Sequence, residues 1–274
     1  MLAGASACTP AADKPGPATG PPAAPQAFVG TVRLLEVHTV LGIRNTDYVT
    51  LSFDGPRLRR EVRPGGFADS TARYGIVADL RSDSLTYYAQ DGGQNRHCRL
   101  ARADYLARVA ANNPVPALAS PRPYSNIFAP LPAQGLAQEV KTGVALGKLG
   151  DCRLVVFFFP DKSRCEAIYS AQVPVPAPVL AYIEHNAPPA LPSLALSVRY
   201  IQPPAPQGGN PVSRLLERVK RSEYSATEFS SLSTARPAGR DFALPVGSQY
   251  AGDANTLEDA LEAASSSSHH HHHH

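Results

Sequence analysis

Leu194-Ala195-Leu196-Ser197-Val198-Arg199-Tyr200 sets large side chains, Leu194, Leu196, Val198 and Tyr200, against Ala195, Ser197 and Arg199. A period of two is the mark of a half-buried strand, because successive strand side chains point to opposite faces; an amphipathic helix would repeat every three or four residues. The same period recurs outward along the chain. Over 28–40, Val29, Thr31, Arg33, Leu35 and Val37 alternate with Gly30, Val32, Leu34, Glu36 and His38. Val49, Leu51 and Phe53 alternate with Thr50, Ser52 and Asp54, and Asp54-Gly55 signals a hairpin returning through 57–63. Residues 74–81 and 84–90 form another pair about the polar turn Ser82-Asp83, while 98–109 reads equally as strand or helix. Residues 153–159 are apolar on both faces, as in a central strand covered on both sides. With 164–172, 194–202, 214–222 and 224–233 the count reaches about ten, and helical spacing is scarce. The fold class is all-β with minor α, its strands consecutive and antiparallel.

Composition agrees and removes several functions. Of 274 residues 27 are proline, about twice the usual share. Charged residues are 18%, and Lys plus Arg exceeds Asp plus Glu by three, too small an excess to announce a nucleic-acid partner. No run of eighteen apolar residues occurs. Beyond the N-terminal region the prolines gather at 114–132, 174–192 and 203–211. Proline donates no backbone hydrogen bond, so these segments are expected to be edges, crossovers or lids of one domain. Residues 28–250 are taken as that domain, and 251–274 as a disordered tail ending in four serines and a six-histidine purification handle.

The first eight residues, Met-Leu-Ala-Gly-Ala-Ser-Ala-Cys, look like the end of a bacterial lipoprotein signal: small residues lead to a cysteine whose thiol takes the lipid. Cys8 is the expected lipidation site, with the charged start of such a signal absent. Six prolines between Pro10 and Pro25, with little charge or bulk, make a semi-rigid tether within 1–27. The expected address is the bacterial cell envelope, membrane-anchored through that lipid, in the periplasm or at the outer membrane. In this oxidising setting Cys98, Cys152 and Cys165 are disulfide candidates, and an odd number permits at most one bridge. A tight hairpin at 159–163 would hold Cys152 and Cys165 about 20 Å apart, beyond bridging reach, so Cys98 with either one is as plausible as that pair. No C-x-x-C or paired-histidine spacing points to a metal, and no cofactor is expected.

A family resemblance now enters. Asp241-Phe242-Ala243-Leu244-Pro245-Val246-Gly247-Ser248-Gln249-Tyr250 resembles the closing segment of the outer-membrane lipoprotein-sorting superfamily, which includes the LolA and LolB carriers, the RseB sensor and families of unknown function. Arg59-Arg60-Glu61, then Gly75-Ile76-Val77-Ala78-Asp79-Leu80 and Thr86-Tyr87-Tyr88, are similar to that superfamily's early strands. Leu149-Gly150-Asp151-Cys152 resembles the start of its second half, although the aromatic after the glycine and the following tryptophan are missing. The resemblance implies a strongly curved antiparallel sheet forming an unclosed barrel, with proline-rich loops or short helices as a lid. Such a sheet leaves a concave apolar face to be filled by a lid, a partner or a lipid. Tyr87, Val155, Phe157, Phe159, Leu196, Val198 and Tyr200 are the candidates to line it.

Basic residues Arg57, Arg59, Arg60 and Arg63, and later Arg214, Arg218, Lys220 and Arg221, read mainly as the solvated face of a sheet, since Arg57, Arg59 and Arg63 alternate with Leu58 and Val62. His38, His97 and His185 lie far apart and no catalytic fingerprint occurs, so no enzyme is expected. The expected function is binding of a lipid, a lipoprotein acyl chain or another apolar ligand in the concave face. The alternatives are an anchored interaction module with a self-filled core and, third, an envelope hydrolase.

Overall fold

The computed structural model describes residues 27–40, 43–65, 72–91, 94–112, 137–159, 162–183, 193–202, 208, 210–215, 224–253 and 257. Cys8, nearly all of its tether, the proline segment 114–132 and most of the tail lie outside the described residues.

The strands are β1 (Gly30–Val40), β2 (Ile43–Asp54), β3 (Arg57–Arg63), β4 (Arg73–Asp79), β5 (Ser84–Asp91) and β6 (Gln94–Ala101), followed by helix α1 (Arg102–Asn112). After α1 come β7 (Ala137–Leu146), β8 (Leu149–Phe158), β9 (Arg164–Ser170), helix α2 (Ala177–Ile183), β10 (Ala195–Ile201), β11 (Tyr224–Ser233), a 3-10 turn (Gly239–Phe242) and β12 (Gln249–Tyr250). All twelve strands join one sheet in the order β12-β6-β5-β4-β3-β2-β1-β11-β10-β9-β8-β7. Every pairing is antiparallel except β12 with β6. The sheet is unclosed, with β12 at one end and β7 at the other. β5 and β8 would stand roughly 40 Å apart in a flat sheet at about 4.8 Å per strand. One core cluster nevertheless gathers Leu85 of β5, Val32 and Leu34 of β1, Cys152 of β8 and Val179, Leu180 and Ile183 of α2. The sheet curls around its own helices, as large twisted sheets do.

Local chemistry accounts for the hairpins. Gly55 takes a φ of +60° directly after Asp54, the backbone turn that lets β2 reverse into β3. Ser82 donates its amide to the carbonyl of Asp79 at 2.8 Å and closes the turn from β4 to β5. The ambiguous stretch 98–109 divides in two: β6 runs to Ala101, and α1 begins at Arg102.

Several expectations are corrected. β7 was not foreseen; its described side chains are mostly exposed and its register with β8 slips twice, so no alternation marks it. Arg214 and Leu215 stand in a helical turn rather than a strand, and 216–222 lie outside the described residues. The alternation at 194–200 is broken by a register shift against β9 between Ala195 and Ser197. Leu194 and Leu196 therefore join the central cluster, while Ala195 and Val198 join a second one with Val155, Phe157, Cys165, Ala167 and Tyr169. Cys98, Cys152 and Cys165 are buried thiols with no disulfide between them. Cys152 pairs with Ser170 and Cys165 with Phe157, five positions apart along β9 and so about 17 Å, and the three thiols belong to three different clusters, Cys98 with Ala89 and Leu257. Burial, with a lesser contribution from Glu166, pushes the Cys165 thiol up to about 12.

Candidate functional site: the core face beneath the two helices

β3 divides its side chains by parity. Leu58 and Val62 point to the core and are almost fully buried, and Arg60 lies between them on the same face. Register extends the row across six strands, from Val32 through Leu51, Arg60, Ile76 and Tyr87 to Cys98. A guanidinium thus sits in an otherwise apolar row. The Arg60 side chain is 13% exposed and its Nη2 lies 3.7 Å from Oε1 of Glu36, beyond hydrogen-bonding distance. Its buried Nε–H has no hydrogen-bond partner among the described residues. Burial opposes its charge, but Glu36 and then Tyr105, Tyr74 and Tyr87 outweigh it and hold its pKa above the ordinary value. Burial, the largest influence in each case, raises the Tyr74 and Tyr105 phenols above theirs, so both are neutral hydroxyls at physiological pH.

Two helices cover this face. Tyr105 of α1 stacks on Tyr182 of α2 with ring centroids 6.1 Å apart and planes 6° from parallel, and its hydroxyl donates to the Tyr182 carbonyl at 3.5 Å. Val179, Leu180 and Ile183 fill the space beneath. The segment carrying α2 is pinned at its base: Ser193 Oγ donates to the Val173 carbonyl at 2.5 Å and accepts from the Val175 amide at 3.0 Å. Beside α2, a gap lined by Phe28, Phe53, Leu58, Val175 and Val179 measures about 10 Å³.

The opposite face is polar and strapped. Arg57, Arg59, Glu61 and Arg63 point outward from β3. Arg59 Nε donates to the Tyr88 hydroxyl at 3.0 Å, that hydroxyl donates to Glu61 Oε2 at 2.7 Å, and Arg59 closes the triangle by pairing with Glu61. Gly75 stands between Glu61 and Tyr88 in the register, and a Cβ there would come within 1.9 Å of the Arg60 carbonyl, so the missing side chain permits the close approach. Burial, then Glu61, raises the Tyr88 phenol far above its ordinary range.

Over this triangle runs the 241–250 segment on which the family resemblance rests. Arg59 Nη1 donates to the carbonyls of Asp241 and Ala243, both at 3.1 Å, and the Arg57 guanidinium lies 4.6 Å from the centre of the Phe242 ring. Asn95 donates to the Val246 carbonyl at 2.6 Å, and His97 Nδ1 lies 2.9 Å from Ser248 Oγ. β12 pairs along β6, and beyond it Leu257 packs fully buried against Ala89 and Cys98. The strap thereby covers part of an edge strand that would otherwise be bare. An outer groove of about 260 Å³ lies farther along this face, among Arg33, Tyr48, Glu61, Arg63 and Arg73.

The foreseen lining residues are divided between two places. Tyr87 and Leu196 belong to or pack against the central cluster under the helices. Val155, Phe157 and Val198 belong to the second cluster, and Phe159 and Tyr200, edge to face with each other at 6.2 Å between ring centroids, pack against it. Sequence reading passed over Arg60 as one of a run of arginines. Its signal was parity, since Leu58-x-Arg60-x-Val62 places it with the apolar residues.

No family model and no curated protein matches this chain. Among solved structures it is similar to one of PNGF-II, at 11% identity and a TM-score of 0.38, over 86% of this chain and 33% of that one. It is also similar to a crystal structure of MucB, at 12% identity and a TM-score of 0.35, over 79% of this chain and 58% of that one. The chain therefore spans about a third and somewhat over half of those proteins' lengths. What is shown is an all-β chain built on one large unclosed, mostly antiparallel sheet, and likenesses at this level assign it neither a family nor a role.

Proposed function

We propose that this chain is the binding domain of a bacterial cell-envelope lipoprotein, anchored through Cys8, which takes an acyl chain or another apolar ligand against the core face of its open sheet. It binds and does not catalyse. The observation that carries the reading is what fills the curve: two helices that meet, among the described residues, through a stack of Tyr105 on Tyr182 with a hydrogen bond at 3.5 Å beside it, one of them on a segment pinned at its base by Ser193. A cover of this kind can be exchanged. An acyl chain replacing Val179, Leu180 and Ile183 restores apolar burial worth about 25 cal/mol per Å² for each area given up, so the net cost of opening is small. The motif likeness of 241–250 to the lipoprotein-sorting superfamily supports the same reading.

A second reading, an anchored interaction module whose core is filled by itself, is favoured by the 10 Å³ gap beside α2, which has room for about one water. Native mass spectrometry of the full chain purified without detergent separates the two. About one acyl-bearing molecule per chain is the expected result. A ligand-free protein that takes up no dodecanoate, dodecanol or dodecyl phosphate when titrated overturns the binding reading in favour of the self-filled module.

A further inference from the structure

Within the core face, Arg60 is the feature that apolar packing does not explain. A guanidinium carries five N–H donors in a fixed fork, and burying one donor without an acceptor leaves its lost hydration uncompensated. Here the buried Nε–H meets no acceptor among the described residues, and Glu36 stands at 3.7 Å from Nη2, close enough for attraction and too far for a hydrogen bond. Replacing such a pair by apolar side chains is often neutral or stabilising, so packing alone would favour a leucine or methionine between Leu58 and Val62. Around the guanidinium stand the phenols of Tyr74, Tyr87 and Tyr105, the last of these on the covering helix α1. The local chemistry is one charged fork and neutral hydroxyls at the floor of an apolar surface, which suits an oxyanion carried on a hydrocarbon tail.

We infer that Arg60 is the head-group site of the binding face, and that the ligand is an anionic amphiphile whose carboxylate or phosphate accepts from the guanidinium while its tail takes the place of α2. This rests on the binding reading above and goes beyond it by giving the ligand a charge and an orientation. Glu36 retains a place beside Nη2, since its side chain is 27% exposed and can turn toward solvent as the head group enters.

The test is competition against a neutral fluorescent acyl probe, below micellar concentrations, by dodecanoate, dodecyl phosphate and dodecanol, three ligands with one tail and different heads. Both anions are expected to compete at least about tenfold better than the alcohol, the worth of one charge-assisted hydrogen bond. Whichever anion is stronger identifies the source as a fatty acid or a phospholipid. In Arg60→Met the preference is expected to fall to within about twofold while dodecanol binding persists, and Arg60→Lys, which keeps the charge and loses the fork, is expected to fall between. Circular dichroism and a thermal melt verify that each variant is folded, and the wild-type contrast of acid with alcohol stands without them. If the alcohol competes as well as the anions, or Arg60→Met keeps the preference, the Arg60 site is wrong and the binding face stands. If none of the three competes and the probe itself does not bind, the binding face falls and the head-group site falls with it.

Discussion

Arg59 and Arg60 are neighbours on one strand, and the two faces of the sheet treat them oppositely. On the outer face, Arg59 has the hydroxyl and ring of Tyr88, a carboxylate and two strap carbonyls within reach. On the core face, Arg60 has one carboxylate at 3.7 Å and a buried donor with no acceptor among the described residues. The same residue type thus serves as a fastener in one place and holds unspent hydrogen-bonding capacity in the other. A satisfied buried network rigidifies the fold around it; an unsatisfied one costs stability.

Three substitutions bear on this contrast. Arg59→Ala is expected to have the largest effect, a loss of about 2–3 kcal/mol in denaturant unfolding, somewhat below the cost of breaking a fully buried pair because the side chain keeps some solvent. Hydrogen exchange should quicken across 241–251 at the same time, as the strap loses two carbonyl anchors. A loss under about 0.5 kcal/mol, the range of ordinary surface changes, would mean that the network fastens nothing.

Tyr88→Phe is expected to cost about 1–2 kcal/mol, since it removes the hydroxyl that accepts from Arg59 and donates to Glu61 while those two remain paired with each other. Its pH dependence has a definite sign. Burial raises the folded-state phenol above its unfolded value of about 10, so the stabilising contribution is complete below that pH and is lost as pH rises beyond it, where the unfolded chain ionises first. The wild type should therefore lose stability above about pH 10 more steeply than the phenylalanine variant. Parallel curves would show that Tyr88 ionises as freely in the folded chain as in the unfolded one.

Arg60→Met is expected to have the smallest effect on stability, within about 1 kcal/mol of wild type and of either sign, because the lost ion pair is offset by the relieved donor and a better apolar fit. A loss above about 2 kcal/mol would make Arg60 a fastener like Arg59 and erase the contrast between the faces.

How much was legible in the sequence varies with how local the cause is. The hairpin at Asp54-Gly55 was readable because the turn chemistry lies within the turn, and 57–63 was readable because alternation persists where one face is buried and the other wet. β7 escaped because an exposed edge strand has no buried face to imprint a pattern. A lid of proline-rich loops or short helices was expected from the family resemblance, but not that 177–183 would be the helix, because proline tallies report where a sheet is interrupted without reporting what fills the interruption. The three cysteines were read as bridge candidates from compartment and count, but bridging depends on separations of a few ångströms that count does not contain. On the core face, Tyr87, one of the expected lining residues, packs against the central cluster, and Arg60 was obscured by the arginines around it.

From its amino acids alone this chain was bound to be β-rich, because apolar residues at every second position can be buried together only on an extended backbone. Which strands would neighbour one another, where the register would slip at Leu196, and whether a given arginine would find acceptors were settled only when distant segments met. Those outcomes depend on distances between residues far apart in the chain, and no local pattern encodes a distance. Arg59 and Arg60 make the point within a single peptide bond: their sequence neighbourhoods are nearly alike, and the strap across one face with the helices across the other sets their chemistry apart.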